Sequence, residues 1–168
     1  VNGRGHVTGA ALTANEDVDV IAFTGGTETG RIISAEAGRT LKKTVTELGG
    51  KSANIIFADA DYDRALDAAL VAIFSNNGQQ CLAGSRILVQ RSIAENFTQD
   101  FVARTRKLKI GDPFDTSSEI GPVISKGQFE RMNRFAKLAE ESDGIEILTG
   151  GKPAEGFNKG YYFEPTVV

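Results

Sequence analysis

One thiol and one carboxylate stand out as residues that could carry chemistry. Cys81 is the only cysteine of the chain, and it follows a Ser-Asn-Asn-Gly-Gln-Gln stretch. Glu47 lies upstream, at the start of a Glu-Leu-Gly-Gly-Lys stretch. A thiolate is a strong nucleophile and a carboxylate can accept a proton, so the two together could support covalent acyl chemistry. A single thiol has no partner within the chain, which excludes a disulfide scaffold.

Each of these residues also has a purely structural interpretation. Considered without Glu47, Cys81 is more typical of a small buried hydrophobe, and Glu47 alone is typical of an exposed carboxylate. His6 is the only histidine, and a solvated loop position explains it more simply than catalysis does. Without a cluster of histidines and cysteines, the sequence predicts no metal site. An acidic trio resembles part of a calcium loop, but the charge preference of a helix start explains it: Asp59, Asp61 and Asp63.

Two glycine patterns are similar to nucleotide-binding turns, although neither has the standard spacing. Gly5 and Gly9 belong to the first pattern. Gly25, Gly26 and Gly30 form the second, which follows a strand-like run and precedes a helix-like one, as a nucleotide-binding turn requires. Each pattern alone is more typical of a tight turn than of a cofactor site. The helix after Gly26 could still offer its N-terminus to a charged ligand group.

The elements that would position these residues alternate between helix and strand. In the first part of the chain, the patterns predict a helix over residues 5–14, a buried parallel strand over 18–23, a helix over 28–38 and a strand over 43–46. Thr27 or Thr29 would cap the second helix, and Gly38 would end it. A strand, a helix and a strand within about 30 residues form a βαβ unit with a parallel sheet.

The second part of the chain continues the alternation. The patterns predict strands over residues 53–57, 86–90 and 145–148. A helix that begins near Asp61 would bury one apolar face, formed by Tyr62, Leu66, Ala69, Leu70, Ile73 and Phe74. Ser92 and Ser125 each open a capping box, and Gly111 and Gly144 would end the helices that follow them. This alternation predicts an α/β fold.

Composition narrows the class of protein. The chain has 168 residues, 40% of them hydrophobic and 24% charged, with a net charge of -3. These values favour a globular protein and argue against a membrane or a nucleic-acid partner. The single cysteine and the absence of an apolar leader predict a cytoplasmic location. Because the chain begins with a valine and stops in a β-prone stretch, we expect it to be a segment of a longer protein.

Taken together, several segments resemble the aldehyde dehydrogenase superfamily. Residues 23–30 resemble its coenzyme-domain motif, residues 47–52 its glutamate signature and residues 74–81 its cysteine signature. Shorter matches lie at residues 111–113, 121–122 and 163–166, and all of them run in the family's order. Gly26 is a departure, since the family often has serine there. The details are similar to members that act on semialdehydes of aromatic catabolism.

The resemblance implies an aldehyde dehydrogenase-like α/β fold that is truncated at both ends. Residues 1–49 would be the end of a parallel-sheet, Rossmann-type coenzyme domain, and residues 50–168 would be part of an α/β catalytic domain. The implied cofactor is NAD or NADP, with NAD favoured, and the implied partners are a small aldehyde and further copies of the full-length protein in a homo-oligomer. The implied coenzyme-binding positions are Gly5, Thr24, Gly25, Gly26, Gly30 and Leu48.

The resemblance also implies a division of labour between the thiol and the carboxylate. Cys81 would attack the aldehyde carbon to give a thiohemiacetal, and loss of hydride would leave a thioester. Glu47 would activate the water that hydrolyses this thioester to a carboxylic acid. Two other interpretations stay open, namely a non-catalytic binding or structural protein on the same fold and a thiol redox sensor that uses Cys81 alone.

Overall fold

The chain divides into two compact units. The structure is a computed structural model that describes residues 1–168. The first unit comprises Val1–Gly50 and the second comprises Lys51–Val168. The sequence placed a domain boundary between residues 49 and 50, next to the position where the structure divides.

The first unit is built around a parallel pair of strands. A π-helical turn, Gly5–Gly9, leads directly into α1, Ala10–Ala14. Strand β1, Val20–Gly25, pairs in parallel with β2, Lys43–Leu48, and helix α2, Thr27–Arg39, connects them. The predicted βαβ unit is therefore confirmed. The predicted burial is wrong for β1, whose residues alternate between exposed and half-buried, because α2 packs on the strand pair and nothing else in the unit covers it fully.

Both predicted ends of α2 are wrong. Gly26 is the N-cap, without a side-chain cap, so neither Thr27 nor Thr29 has that role. The helix continues past Gly38 to Arg39, and Leu41 takes the left-handed conformation with φ 56°. The amide of Lys42 donates to the carbonyl of Ala37 at 3.0 Å, and the amide of Leu41 donates to the carbonyl of Gly38 at 3.3 Å. These two bonds define a Schellman motif, which usually places glycine where this chain has leucine.

The second unit contains a second parallel strand pair and the main apolar core. Strand β3, Ala53–Ile56, pairs with β4, Arg86–Val89, and the helices are α3, Tyr62–Phe74, α4, Arg91–Thr105, and α5, Lys126–Glu140. Buried side chains from β3, α3 and α4 form the core: Ile56, Leu66, Ala69, Phe97 and Phe101. The rings of Phe97 and Phe101 stack with centroids 6.3 Å apart. The predicted inward face of α3 is confirmed.

One of the two predicted capping boxes in this unit does not form. Helix α4 begins at Arg91, so Ser92 lies inside it, and the Ser92 hydroxyl accepts a hydrogen bond from the side-chain Nε2 of Gln90 at 3.2 Å. The hydroxyl of Ser125, in contrast, accepts from the backbone N–H of Gln128 at 3.3 Å, as the sequence predicts. Helix α4 also ends at Thr105, well before Gly111.

The predicted strand over residues 145–148 is also absent. Helix α5 ends at Glu140, and Gly144 lies beyond it in a turn with φ +79°. Pairing with the end of the chain is limited to two isolated antiparallel bridges, Thr149 with Val167 and Pro153 with Phe163. Gly150 and Gly151 lie between the bridges and both have positive φ, which interrupts the ladder. None of the helices is long and apolar enough to span a bilayer.

Candidate active site

Five of the predicted site residues lie where β1 and β2 end. In the parallel register, Thr24 pairs with Glu47 and Gly25 pairs with Leu48. Gly26 follows directly and caps α2. The carboxyl ends of parallel strands, next to a helix N-terminus, are where α/β folds bind their ligands. The first unit thus brings the predicted base, Glu47, next to four of the predicted coenzyme positions.

The approach to the N-terminus of α2 is open. A Cβ built on Gly26 would meet no atom within 4 Å, so a ligand group could come close to the backbone there. The first N–H groups of this 13-residue helix have no intrahelical acceptors and favour negative charge. A nucleotide pyrophosphate is the kind of group that such a turn accepts. Gly26, the departure from the family motif, leaves this backbone unobstructed.

Gly30 has a packing role rather than direct exposure to a ligand. It is buried, and a Cβ built on it would lie 2.7 Å from Cδ2 of Leu48. The absence of a side chain therefore lets the first turn of α2 approach the end of β2 closely. Gly5 belongs to the exposed π-helical turn before α1, and the strand ends do not include it. The structure groups the other predicted coenzyme positions and leaves Gly5 outside that group.

The nucleophile candidate lies on an unusual loop of the second unit. After α3 ends at Phe74, Asn76, Asn77 and Gly78 all take left-handed conformations, with φ of 50°, 55° and 69°. Three such residues in succession turn the chain sharply. Glycine adopts this conformation at modest cost, and asparagine does so less readily. Cys81 follows and is exposed. The interpretation of Cys81 as a small buried hydrophobe is therefore wrong.

Two side chains that precede the thiol tie the loop that carries Cys81 to residues 121–124. The side chain of Asn77 makes three hydrogen bonds to the backbone of Gly121 and Pro122. The side chain of Gln79 accepts a hydrogen bond from the amide of Ile124 at 3.0 Å. In the sequence, the Gly-Pro pair at residues 121–122 stands out only as a family match, and no pattern predicts a role for Asn77. The feature that could have indicated the unusual backbone is the pair Asn77-Gly78, because Asn-Gly is typical of backbone with positive φ.

Glu47 and Cys81 belong to different units, so each is described by its own surroundings. Glu47 is exposed at the end of β2, and Cys81 is exposed in its loop. No group of three or more histidine, cysteine, aspartate or glutamate side chains is arranged to hold a metal ion. The second unit thus presents an accessible thiol, and the first unit presents an accessible carboxylate beside a glycine turn.

Comparison with known proteins places the chain in a family. The model of the aldehyde dehydrogenase family matches residues 1–168, which is the whole chain. The chain belongs to the aldehyde dehydrogenase family. It is 44% identical to the chloroplastic betaine aldehyde dehydrogenase of Beta vulgaris and 47% identical to an aldehyde dehydrogenase of Davidiella tassiana. These alignments cover 100% and 99% of this chain and 33% of each relative, so the chain spans about a third of their length.

Solved structures agree with this family membership. The betaine aldehyde dehydrogenase of Staphylococcus aureus, solved in complex with NAD+, superposes with a TM-score of 0.94 at 41% identity over 98% of this chain and 33% of that one. The HpcC protein of Thermus thermophilus superposes with a TM-score of 0.94 at 41% identity, covering 99% and 33% of the two chains. The predicted aldehyde dehydrogenase fold, as a fragment of it, is confirmed.

Proposed function

We propose that this chain is the central part of an NAD(P)-dependent aldehyde dehydrogenase that oxidises an aldehyde to a free carboxylic acid. The observation that carries the proposal is the exposed Cys81 on an anchored loop, in a chain that matches the family from end to end. In this proposal, residues 1–49 close the coenzyme domain and residues 50–168 supply much of the catalytic domain.

The chemistry begins at the sulfur of Cys81. Its thiolate attacks the aldehyde carbon, the carbonyl π bond breaks, and a thiohemiacetal oxyanion forms. The backbone N–H of Cys81 donates no hydrogen bond within this chain, so it is free to stabilise that oxyanion. Loss of a single oxyanion donor typically lowers the rate by ~10²–10³. The C–H bond of the thiohemiacetal then breaks heterolytically, its hydride departs, and a thioester remains on Cys81.

Glu47 completes the turnover in this proposal. Its carboxylate takes a proton from a water molecule, which attacks the thioester carbonyl and expels the thiolate of Cys81. The product is a free carboxylic acid. Glu47 also suits a second task, that of accepting the proton of the Cys81 thiol before the attack. Retention of a base for water favours hydrolysis over transfer of the acyl group to a thiol cosubstrate.

The residues at the ends of β1 and β2 fit a nicotinamide coenzyme. The open backbone at Gly26 and the N-terminus of α2 suit a pyrophosphate, with Thr24 and Gly25 beside it. The backbone of Leu48 would lie near the nicotinamide, and Gly30 keeps α2 close to the strands. The coenzyme, when bound, supplies the acceptor for the hydride. NAD is favoured because the S. aureus relative was solved with NAD+.

The proposal extends to substrate, assembly and location. Relatives include betaine aldehyde dehydrogenases, which favours small aldehydes in general, and the similarity to semialdehyde-oxidising members stays a prediction. The homo-oligomer of the full-length protein stays a prediction as well. The cytoplasmic location stays a prediction, and relatives carry the names chloroplastic and mitochondrial.

Two substitutions in the full-length protein test the proposal. Cys81→Ala should abolish NADH formation from a panel of small aldehydes, because no thiohemiacetal can form. Glu47→Gln should retain a first burst of NADH, slowed by loss of the base for the Cys81 thiol, but lose steady-state turnover, because the thioester is no longer hydrolysed. Asn158→Gln, in an exposed loop, serves as the control and should leave both phases unchanged. Full turnover by Cys81→Ala would refute the proposal.

The same variants separate the two other interpretations. A non-catalytic protein would show no NADH formation with any aldehyde, and alkylation of its Cys81 would not respond to added aldehyde. A redox sensor would form a disulfide-linked dimer in peroxide, and Cys81→Ala would prevent it.

A further inference from the structure

The side chain of Asn77 is a clamp between the cysteine loop and a distant segment. Its Nδ2 donates to the carbonyl of Gly121 at 2.9 Å and to the carbonyl of Pro122 at 3.0 Å. Its Oδ1 accepts from the backbone N–H of Gly121 at 3.1 Å. One half-buried amide thus uses both donors and its acceptor on a segment more than 40 residues away in sequence.

The clamp belongs to a set of bonds that bracket Cys81. Before the thiol, the Oε1 of Gln79 accepts from the N–H of Ile124 at 3.0 Å. After it, the N–H of Gly84 donates to the carbonyl of Ala72 in α3 at 2.9 Å. Cys81 itself lies in a turn that is closed by a hydrogen bond of 3.3 Å from the N–H of Ala83 to the carbonyl oxygen of Gln80. The position of the sulfur therefore depends on bonds made by its neighbours.

We propose that Asn77 is a positioning residue that sets the location of the Cys81 thiol by holding its loop on Gly121 and Pro122. The inference rests on the proposed function, because it assigns the clamp to the nucleophile of that reaction. Attack on a carbonyl requires the reacting atoms about 3–3.5 Å apart and aligned, and a misplacement of about 1 Å can cost ~10²-fold in rate. The loop has hydrogen bonds of its own, such as that from the N–H of Gln79 to the carbonyl of Asn76 at 3.0 Å, but its side-chain bonds to Gly121 and Pro122 all come from Asn77.

The backbone conformation of Asn77 allows the clamp to be removed selectively. Its φ of 55° is one that glycine adopts freely, so Asn77→Gly keeps the backbone path and removes all three side-chain bonds. Asn77→Asp keeps the acceptor for the N–H of Gly121 but loses both donated bonds. Asn158→Gly, in an exposed loop, matches the first substitution chemically and touches neither segment.

The test uses the full-length protein and two independent measurements. In steady-state kinetics, Asn77→Gly should lower kcat by about 10- to 100-fold and change KM for the aldehyde by less than about threefold, because positioning rather than binding is lost. Asn77→Asp should lower kcat at least as much as Asn77→Gly, because its carboxylate would face the carbonyl oxygens of Gly121 and Pro122, and Asn158→Gly should match wild type. In hydrogen exchange, the amide of Gly121 should exchange faster in both Asn77→Gly and Asn77→Asp, and stay protected in Asn158→Gly.

The two measurements separate the inference from the proposed function. If the wild-type protein oxidises aldehydes and Asn77→Gly keeps its kcat within about twofold, the positioning role is refuted while the proposed function stands. A wild-type protein that oxidises no aldehyde refutes the proposed function, and hydrogen exchange then tests the clamp alone. Faster exchange throughout the protein, with kcat and KM altered in proportion to the unfolded fraction, would reduce Asn77 to a structural role and overturn the inference.

Discussion

At the scale of single residues, the loop before Cys81 departs most from ordinary backbone. The structure exposes Cys81 after the Asn-Asn-Gly stretch, whereas a cysteine considered without Glu47 is more typical of a small buried hydrophobe. The sequence also does not predict that Asn76 and Asn77 adopt left-handed conformations along with Gly78. A conformation of this kind costs energy in isolation and persists only when distant contacts hold it. Here those contacts come from residues 121–124, which local patterns cannot connect to residue 77.

Gly78 permits a clear prediction at this scale. Its φ is +69°, and an added Cβ would lie 2.9 Å from the carbonyl oxygen of Ile73. Gly78→Ala should therefore lower the free energy of unfolding by ~1–3 kcal/mol, because it combines an unfavourable φ with a backbone contact. Gly127→Ala is the matched control, since Gly127 lies in α5 and an added Cβ would meet only Oγ of Ser125, at 4.0 Å; alanine there should stabilise by ~0.5–1 kcal/mol. Denaturant unfolding of both variants checks the opposite signs, and equal effects would contradict this account.

At the scale of elements, local rules predicted which elements exist better than where they end. The βαβ order, the helix that follows Asp61 and its apolar face all follow from periodicity. Helix ends do not follow from periodicity, because several residues can hydrogen-bond to the same unpaired N–H and C=O groups of a terminal turn. At the end of α2, the chain closes a Schellman motif with Leu41 although Gly38 was available three residues earlier. A leucine in that conformation is tolerated because two hydrogen bonds accompany it.

The two serines that looked alike in sequence give a paired test. Ser125 accepts a hydrogen bond from the N–H of Gln128, so Ser125→Ala should lower the free energy of unfolding by ~0.5–2 kcal/mol. Ser92 caps no helix, so Ser92→Ala should change stability by less than ~0.5 kcal/mol. Thermal or denaturant unfolding of the two variants measures the difference. A larger loss for Ser92→Ala would show that the sequence interpretation of that cap was right after all.

At the scale of the whole molecule, the chain carries two units, each with its own parallel pair of strands. The fold class and the family could be predicted because three signatures occur in the family's order. The relation between Glu47 and Cys81 could not, because it depends on how separate units are placed and not on local spacing. The residues that grouped as predicted, Thr24 to Gly26 with Leu48, did so because the register of one strand pair determines their neighbours.

The 168-residue chain expressed alone should have little dehydrogenase activity. It spans about a third of its relatives, and the resemblance implies that further coenzyme contacts and a second oxyanion donor lie outside it. The measurement is NADH formation by the purified 168-residue chain, compared with the full-length protein at equal thiol concentration. The full-length Cys81→Ala variant gives the background rate. Robust NADH formation by the short chain would contradict the prediction.

The Asn77 side chain also affects how fast this protein is chemically modified during storage. Asparagine followed by glycine is the pair most prone to deamidation, because the unhindered glycine nitrogen can attack the side-chain carbonyl. The three hydrogen bonds of the Asn77 amide group fix its orientation, which should slow the attack while the loop stays closed because the side chain cannot rotate toward that nitrogen. Once deamidation occurs, a carboxylate faces the carbonyl oxygens of Gly121 and Pro122 and repels them. Peptide mass spectrometry of stored enzyme would then find inactivation rising with the deamidated fraction at residue 77, and a preparation that lost activity without that modification would exclude this link.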